Sequence, residues 1–289
     1  MANKRVTAWK NFIPESIANQ AIAKWHDDHP SDRVQVCASP STLLECPRVV
    51  WLKKQGVEPT NTMGWGKKQR LLLGRILENQ IADQFKHSGI LLWHWKDDVA
   101  GESVKFEHGD GLDKIAGTGD LLLQLGKEVG MSDAKTSRSD SFLYVPTDDK
   151  EIFQDYFWRK HKLQVTAYFM LAHWNKEWFV EMGLPLPTVG HLFSYALDDG
   201  IVRRDITWKP SKEDAEEVMR LTRRWNAAYN ADEMPACTCQ HDEGKGVLFC
   251  PYGIQPSDKN FCTSCCDDGL WERHVEKTAD EFYEKEEIN

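Results

Sequence analysis

The chain has 289 residues, of which 41% are apolar and 28% charged. That is enough for one large domain or two small ones, and it excludes wholesale disorder. The formal charge of −9, taken whole, argues against a nucleic-acid partner.

Residues 13–27 read as a helix, with Pro14 near its start and Ile17, Ala21 and Trp25 at helical spacing. A capping-box pattern, Thr42 with Glu45 three residues on, then opens a short helix that carries Cys46 and ends near Lys54, before Gly56. Residues 66–87 form a longer helix with Leu73, Ile76, Leu77, Ile81 and Phe85 as its apolar stripe. Strands are expected at 90–95, 103–107, 114–124 and 129–136, followed by a helix over 151–174. A hairpin pairs 188–197 with 201–208 around Asp198-Asp199-Gly200. The last helix runs over 211–230 with Ser211 as its cap. Irregular, cysteine-rich sequence fills 235–266, and an acidic tail ends the chain. This order implies an α/β (α+β) fold, a mixed sheet with helices packed around it.

The densest chemistry lies between Gly74 and Tyr168. Glu78 is one helical turn after Gly74, whose bare Cα would let another backbone come close. Asp120 follows Gly117-Thr118-Gly119 at the start of an apolar run. Asp133 and Lys135 flank Ala134, so on a strand they share one face. Gln164 and Tyr168 are four apart on a helix. Taken singly, an Asp-x-Lys on a strand is usually a surface pair and Glu78 a solvated helix residue. Together they suit phosphodiester hydrolysis. Hard divalent cations prefer carboxylate oxygens, so Glu78, Asp120 and Asp133 could hold Mg²⁺ or Mn²⁺. Lys135 would orient a water or stabilise developing charge.

This ordered set resembles the PD-(D/E)XK nuclease superfamily, in its RecB-like and CRISPR-associated iron–sulfur exonuclease branch. The resemblance spans roughly Cys46 to Cys250. It implies a restriction-endonuclease-like core, with Asp120 as the first metal carboxylate and Asp133 and Lys135 as the (D/E)-x-K pair. Glu78 takes a helix position that is His in many RecB-like members, and Gln164 and Tyr168 match a substrate-positioning Gln-x-x-x-Tyr. The shorter Asp133 stands where many relatives have Glu. The same resemblance implies a 4Fe–4S cluster held by Cys46, Cys237, Cys239 and Cys250, with Cys262, Cys265 and Cys266 as rival ligands. Such a cluster would clasp the two flanks of the nuclease core. Zinc is the alternative, on Cys237, Cys239, His241 and Cys250 or on Cys262 with Cys265. Cys37 reads as a buried or free thiol.

The domains expected are an N-terminal flank over 1–65, a nuclease core over 66–232 and a cysteine-rich region with acidic tail over 233–289. Of the −9 charge, nine acids and three bases in residues 265–289 supply −6. Residues 48–70 carry Arg48, Lys53, Lys54, Lys67, Lys68 and Arg70 against Glu58 alone, a basic strip suited to a phosphate backbone. Arg48, Trp65, Lys67, Lys68 and Arg70 are the nucleic-acid candidates, Trp65 by stacking on bases; Arg138, Arg159 and Lys160 are weaker ones. Most of the 12 tryptophans should be core.

The function expected is a metal-dependent DNA exonuclease acting on single strands or ends, in recombination, repair or foreign-DNA processing. A helicase partner would do any unwinding, since no Gly-x-x-x-x-Gly-Lys-Ser/Thr is present. The alternatives are a non-cleaving module that binds DNA or a helicase, and a zinc-stabilised interaction protein. No apolar run reaches the roughly 18 residues of a membrane span. The N-terminus lacks an apolar signal core, so a cytoplasmic location is expected.

Overall fold

Strand β5, Glu128–Ser137, is the middle of a five-stranded sheet. The computed structural model that shows this describes residues 35–57, 65–95, 104–137, 152–154, 156–196 and 201–236. The other strands are β1 (Leu91–His94), β2 (Phe106–His108), β3 (Ile115–Gly117), β4 (Leu121–Leu125), β6 (Val189–Ala196) and β7 (Val202–Trp208). The helices are α1 (Pro47–Lys54), α2 (Trp65–His87), α3 (Tyr156–Trp174), α4 (Lys176–Glu181) and α5 (Lys212–Asn230). The main sheet has the order β1-β4-β5-β6-β7, and β2 and β3 form a separate two-stranded ribbon. Within this sheet β5 and β6 run parallel, and β1–β4, β4–β5 and β6–β7 are antiparallel. The parallel pair needs a crossover, and α3 lies within it.

Period-two alternation divides the sheet residues between two helical layers. Leu122, Val129 and Met131 pack with Leu163, Ala167, Tyr168 and Leu171 of α3 and with Val218 and Leu221 of α5. On the other face, Leu121, Leu123 and Phe193 pack with Ile81 and Ala82 of α2. A third cluster joins α1 to α5 through Val50, Trp225 and Ala228, beside Ala38.

The expected elements mostly appear, with informative differences. The single strand expected over 114–124 is two strands in different sheets, β3 and β4. The chain changes sheet at Gly117-Thr118-Gly119. A Cβ on Gly117 would lie 2.6 Å from Pro40 Cδ, and one on Gly119 3.2 Å from Trp95 Cε3. The strand expected at 103–107 is displaced to Phe106–His108. Cys46 is the N-cap of α1 rather than a residue within it. The capping box falls on Ser39 with Thr42, around a 3₁₀ turn, rather than on Thr42 with Glu45. Ser211 caps α5 and pairs reciprocally with Asp214. Helix α4 has no counterpart in the sequence reading. It follows α3 almost without a break, and Phe179 seats it fully buried in the core. The helix expected over 13–27 lies outside the described residues, as do the cysteine-rich region from 237 onward and the acidic tail.

Strands β5, β6 and β7 are laced by a polar chain. His191 Nε2 donates to Asp205 Oδ1 at 2.7 Å, and its Nδ1 is 2.9 Å from Ser132 Oγ. The His191 bond holds the Asp205 carboxyl below its usual range. The order Ser–His–Asp imitates a nucleophilic triad, but Ser132 has no exposed surface, so this chain joins strands and attacks nothing. The β6–β7 contact is equally tight at Gly190, where a Cβ would lie 2.7 Å from Trp208 Cε2. Gly190→Ala is therefore expected to destabilise the fold by about 1–3 kcal/mol, read from urea unfolding.

Candidate active site

Four elements, α2, the start of β4, β5 and α3, carry the six expected site residues. Pairing of Leu121 with Ser132 sets Asp120, just before β4, beside Asp133 of β5. The Asp120 carbonyl accepts from Trp95 N at 3.2 Å, which ties the bend to the end of β1. Gly74 lets α2 approach β5: a Cβ there would meet Thr136 Oγ1 at 3.3 Å. One turn later, Glu78 is buried. From α3, Gln164 and Tyr168 are buried on the same helix face. Asp133 is wholly buried at the core of the group.

The contacts form a line. Lys135 Nζ donates to Asp133 Oδ1 at 2.8 Å. Asp133 Oδ2 has no hydrogen-bond partner among the described residues, and His161 Nδ1 stands 3.7 Å from it. His161 Nδ1 is 3.3 Å from Gln164 Oε1, and Gln164 Nε2 donates to Tyr168 Oη at 3.5 Å. Since the Gln164 amide nitrogen serves Tyr168, its oxygen faces His161, so Nδ1 carries the imidazole proton.

The electrostatics follow from burial and crowding. Burial raises the Asp133 carboxyl well above its usual range, and a hydrogen bond and charge from Asp120 push it further, against the pull of Lys135. Burial alone would lower the Lys135 ammonium. Asp133, Asp120 and Glu78 outweigh it, so Lys135 stays a cation above its ordinary range. Burial and the negative charge of Asp120 and Asp133 raise the Tyr168 phenol well above 10, keeping it protonated. Burial, then the Lys135 charge, push His161 down to about 2.

His161 is the site residue that the sequence reading missed. The available signal was its position three residues before Gln164, which puts both on one helix face. Its depressed pKa has a consequence for acid stability. Folded His161 stays neutral, whereas the unfolded chain takes up a proton below 6.5, so stability present above 6.5 is lost as pH falls toward 2. Asp133 acts in the opposite sense, because its raised carboxyl binds a proton more tightly in the folded state. Comparison of wild type with His161→Asn isolates the histidine. The variant should lack about 2 kcal/mol of the stability loss between pH 6.5 and 5, measured by denaturant unfolding at both values.

As they lie, no three Asp, Glu, His or Cys side chains among the described residues are close enough together to hold a metal ion. Lys135 donates to one Asp133 oxygen, and the nearby Asp120 carboxyl adds to the raised affinity of Asp133 for a proton. The donor set nevertheless suits a hard divalent cation: three buried carboxylates, with a buried Asp133 oxygen lacking a hydrogen-bond partner among the described residues.

The nucleic-acid candidates are not brought together in the described residues. Arg48 Nε donates to Pro235 O at 3.1 Å, a contact within the fold. Trp65, Lys67, Lys68 and Arg70 belong to the first turns of α2, but their side chains lie outside the described residues. Arg138 lies outside them altogether, and Arg159 pairs with Glu217 at 3.2 Å. Lys160 is half-buried, and burial and the Lys135 charge lower its ammonium. Trp51, Trp95, Trp158 and Trp225 are core residues.

Cys46 is a buried thiol at the N-terminus of α1. Helix α1 is fastened to the end of α5, with Trp51 Nε1 donating to Ala231 O at 3.1 Å beside the Arg48–Pro235 bond. The chain is thus led back to α1 two residues before Cys237. Cys37 is buried, and burial raises its thiol. Cys237, Cys239, Cys250, Cys262, Cys265 and Cys266, with His241, lie outside the described residues.

No protein-family model matches the chain, and no curated protein matches it. Among solved structures, one described as the crystal structure of SSO0001 aligns with 71% of this chain and 82% of its own, at 17% identity and a TM-score of 0.39. Similarity at that level carries no argument about fold or function. What the chain shows is a mixed α/β architecture, a five-stranded sheet flanked by helices, with a buried carboxylate–lysine group at its centre.

Proposed function

We propose that this chain is a metal-dependent deoxyribonuclease with a restriction-endonuclease-like core, of the RecB-like type. The observation that carries the reading is the Asp133–Lys135 pair, 2.8 Å apart on β5, beside buried Asp120. A buried carboxylate pair with a lysine is costly to a structure that only binds.

Glu78, Asp120 and Asp133 would hold Mg²⁺ or Mn²⁺. When bound, the cation lowers the pKa of a water and neutralises charge on the scissile phosphate. Lys135 remains a cation through neutral pH, so it stabilises charge and orients the attacking water, and it is no general base. Water adds to phosphorus, one P–O ester bond breaks, and the departing oxygen takes a proton. Tyr168 stays protonated and Gln164 is fixed against it, so this pair presents neutral hydrogen-bonding groups to the sugar–phosphate chain. The substrate is DNA, as single strands or ends, met through Lys67, Lys68 and Arg70 in the first turns of α2. An exonuclease of this kind serves recombination, repair or foreign-DNA processing in the cytoplasm, with a helicase as partner.

The α1–α5 junction supports a second part of the reading, a 4Fe–4S cluster on Cys46, Cys237, Cys239 and Cys250. Arg48 and Trp51 hold residues 231–235 against α1, which returns the chain to α1 two residues before Cys237 in sequence. No helix among the described residues is long and apolar enough to cross a membrane.

The test is digestion of end-labelled single- and double-stranded DNA by anaerobically purified protein with Mg²⁺ or Mn²⁺. Release of labelled nucleotides from one end supports the exonuclease. Binding without cleavage in either metal would replace it with a DNA-binding module. Stoichiometric zinc, no colour and no DNA affinity would favour a zinc-stabilised interaction protein.

A further inference from the structure

Both oxygens of the buried Asp133 carboxyl are faced by donors. Lys135 holds Oδ1 from the same strand. Oδ2 is buried without a hydrogen-bond partner among the described residues, and such an oxygen carries a desolvation penalty until a donor reaches it. The donor that faces it is His161 Nδ1–H, 3.7 Å away on α3. A contraction of about 0.5 Å brings that distance inside the usual N–H···O range. The same Nδ1–H faces Gln164 Oε1 at 3.3 Å, and Gln164 in turn reaches Tyr168.

We propose that His161 is a positioning residue of this site: with Lys135 on one oxygen and His161 on the other, the Asp133 carboxylate is held in one orientation, and His161 joins it to Gln164 and Tyr168. The inference rests on the nuclease reading and deepens it. Carboxylates that ligate a metal are themselves oriented by hydrogen bonds, and removing such a partner typically weakens metal binding 10- to 100-fold. The imidazole acts through Nδ1. An asparagine amide nitrogen reaches the place of Nδ1, whereas a glutamine amide nitrogen reaches that of Nε2. The Gln164–Tyr168 pair is then more than a substrate contact, because it steadies the helix-side donor of a metal carboxylate.

The experiment titrates Mn²⁺ alone into the full chain, without DNA, for wild type, His161→Ala, His161→Asn and His161→Gln. Each variant is first checked by circular dichroism and thermal unfolding. The expected result is Mn²⁺ affinity about 10- to 100-fold weaker in His161→Ala and His161→Gln. Affinity should return to within about threefold of wild type in His161→Asn, with hydrolysis following the same order through the Mn²⁺ requirement. Wild-type affinity in His161→Ala would overturn the proposal. Rescue by His161→Gln and not His161→Asn would also overturn it, since Nε2 would then be the acting atom. If His161→Ala fails to fold, the Asn-against-Gln comparison still decides. A wild-type chain that binds no Mn²⁺ and cleaves no DNA would instead remove the nuclease reading, and this inference with it.

Discussion

Lys135→Ala is expected to lower the rate of DNA hydrolysis by about 10²–10³ while leaving DNA binding within about threefold. Lys135 Nζ is the cation nearest Asp133, and it carries the summed pull of Asp133, Asp120 and Glu78. It is 22% exposed where Asp133 is wholly buried, so solvent reaches the lysine and not the carboxyl. Removing it takes away a charge aimed at the reaction, not a major part of the core. Wild-type hydrolysis by Lys135→Ala would dismiss the mechanism. Asp120→Ala is the companion: it should abolish hydrolysis together with Mn²⁺ binding, whereas Lys135→Ala should retain metal. Single-turnover kinetics with a metal titration separates the two. Thermal unfolding guards against a trivial loss of fold, because Asp133 protonates readily once its lysine is gone.

The second large effect concerns Cys46. Cys46→Ser, or removal of iron by chelation under air, should abolish the visible absorption expected of the proposed cluster and lower the stability by about 4–5 kcal/mol, the closure entropy of joining residue 46 to residue 237. The structure says where the damage should go. α1 meets α5 through Val50, Trp225 and Ala228, and through the Arg48–Pro235 and Trp51–Ala231 bonds. Amide exchange should therefore rise first in α1 and at the end of α5, while the β5–β6 ladder stays protected. Hydrolysis should fall only as the fold loosens, since Cys46 belongs to α1 and the carboxylates to the sheet and α2. A colourless protein whose stability is unchanged by Cys46→Ser would dismiss the clasp; zinc in place of iron would keep the clasp and change the metal.

Much of this arrangement was legible in the amino-acid order, for local reasons. Glycine at 74 and 119 and alternation over 128–137 are local rules, and so is four-residue spacing on α3. Each places its side chain without reference to the rest of the chain. The errors also have local causes. Residues 114–124 look like one strand, because nothing in their hydrophobicity shows that Pro40 and Trp95 press on the glycines between them. The Cys46 helix starts at Pro47, four residues later than a Thr42 cap implies, because proline prefers the first helical position. Folding also adds what the sequence does not show at Arg48, a bond from its Nε to Pro235 O.

By itself, then, the sequence determined the residue types and their spacing: carboxylates, a lysine and a Gln–Tyr pair, each on an element whose period aims it inward. Only the tertiary structure decided which of them meet. Antiparallel pairing of Leu121 with Ser132 brings Asp120 to Asp133. The crossover through α3 carries His161 to an oxygen 28 residues earlier in the chain, at 3.7 Å. Their surroundings then set their charges: the carboxylates of Asp133, Asp120 and Glu78 hold Lys135 as a cation against its burial, and burial with the Lys135 charge keeps His161 neutral. Spacing along the chain governs which face a side chain takes. Proximity and desolvation, which govern its chemistry, depend on contacts between elements far apart in sequence.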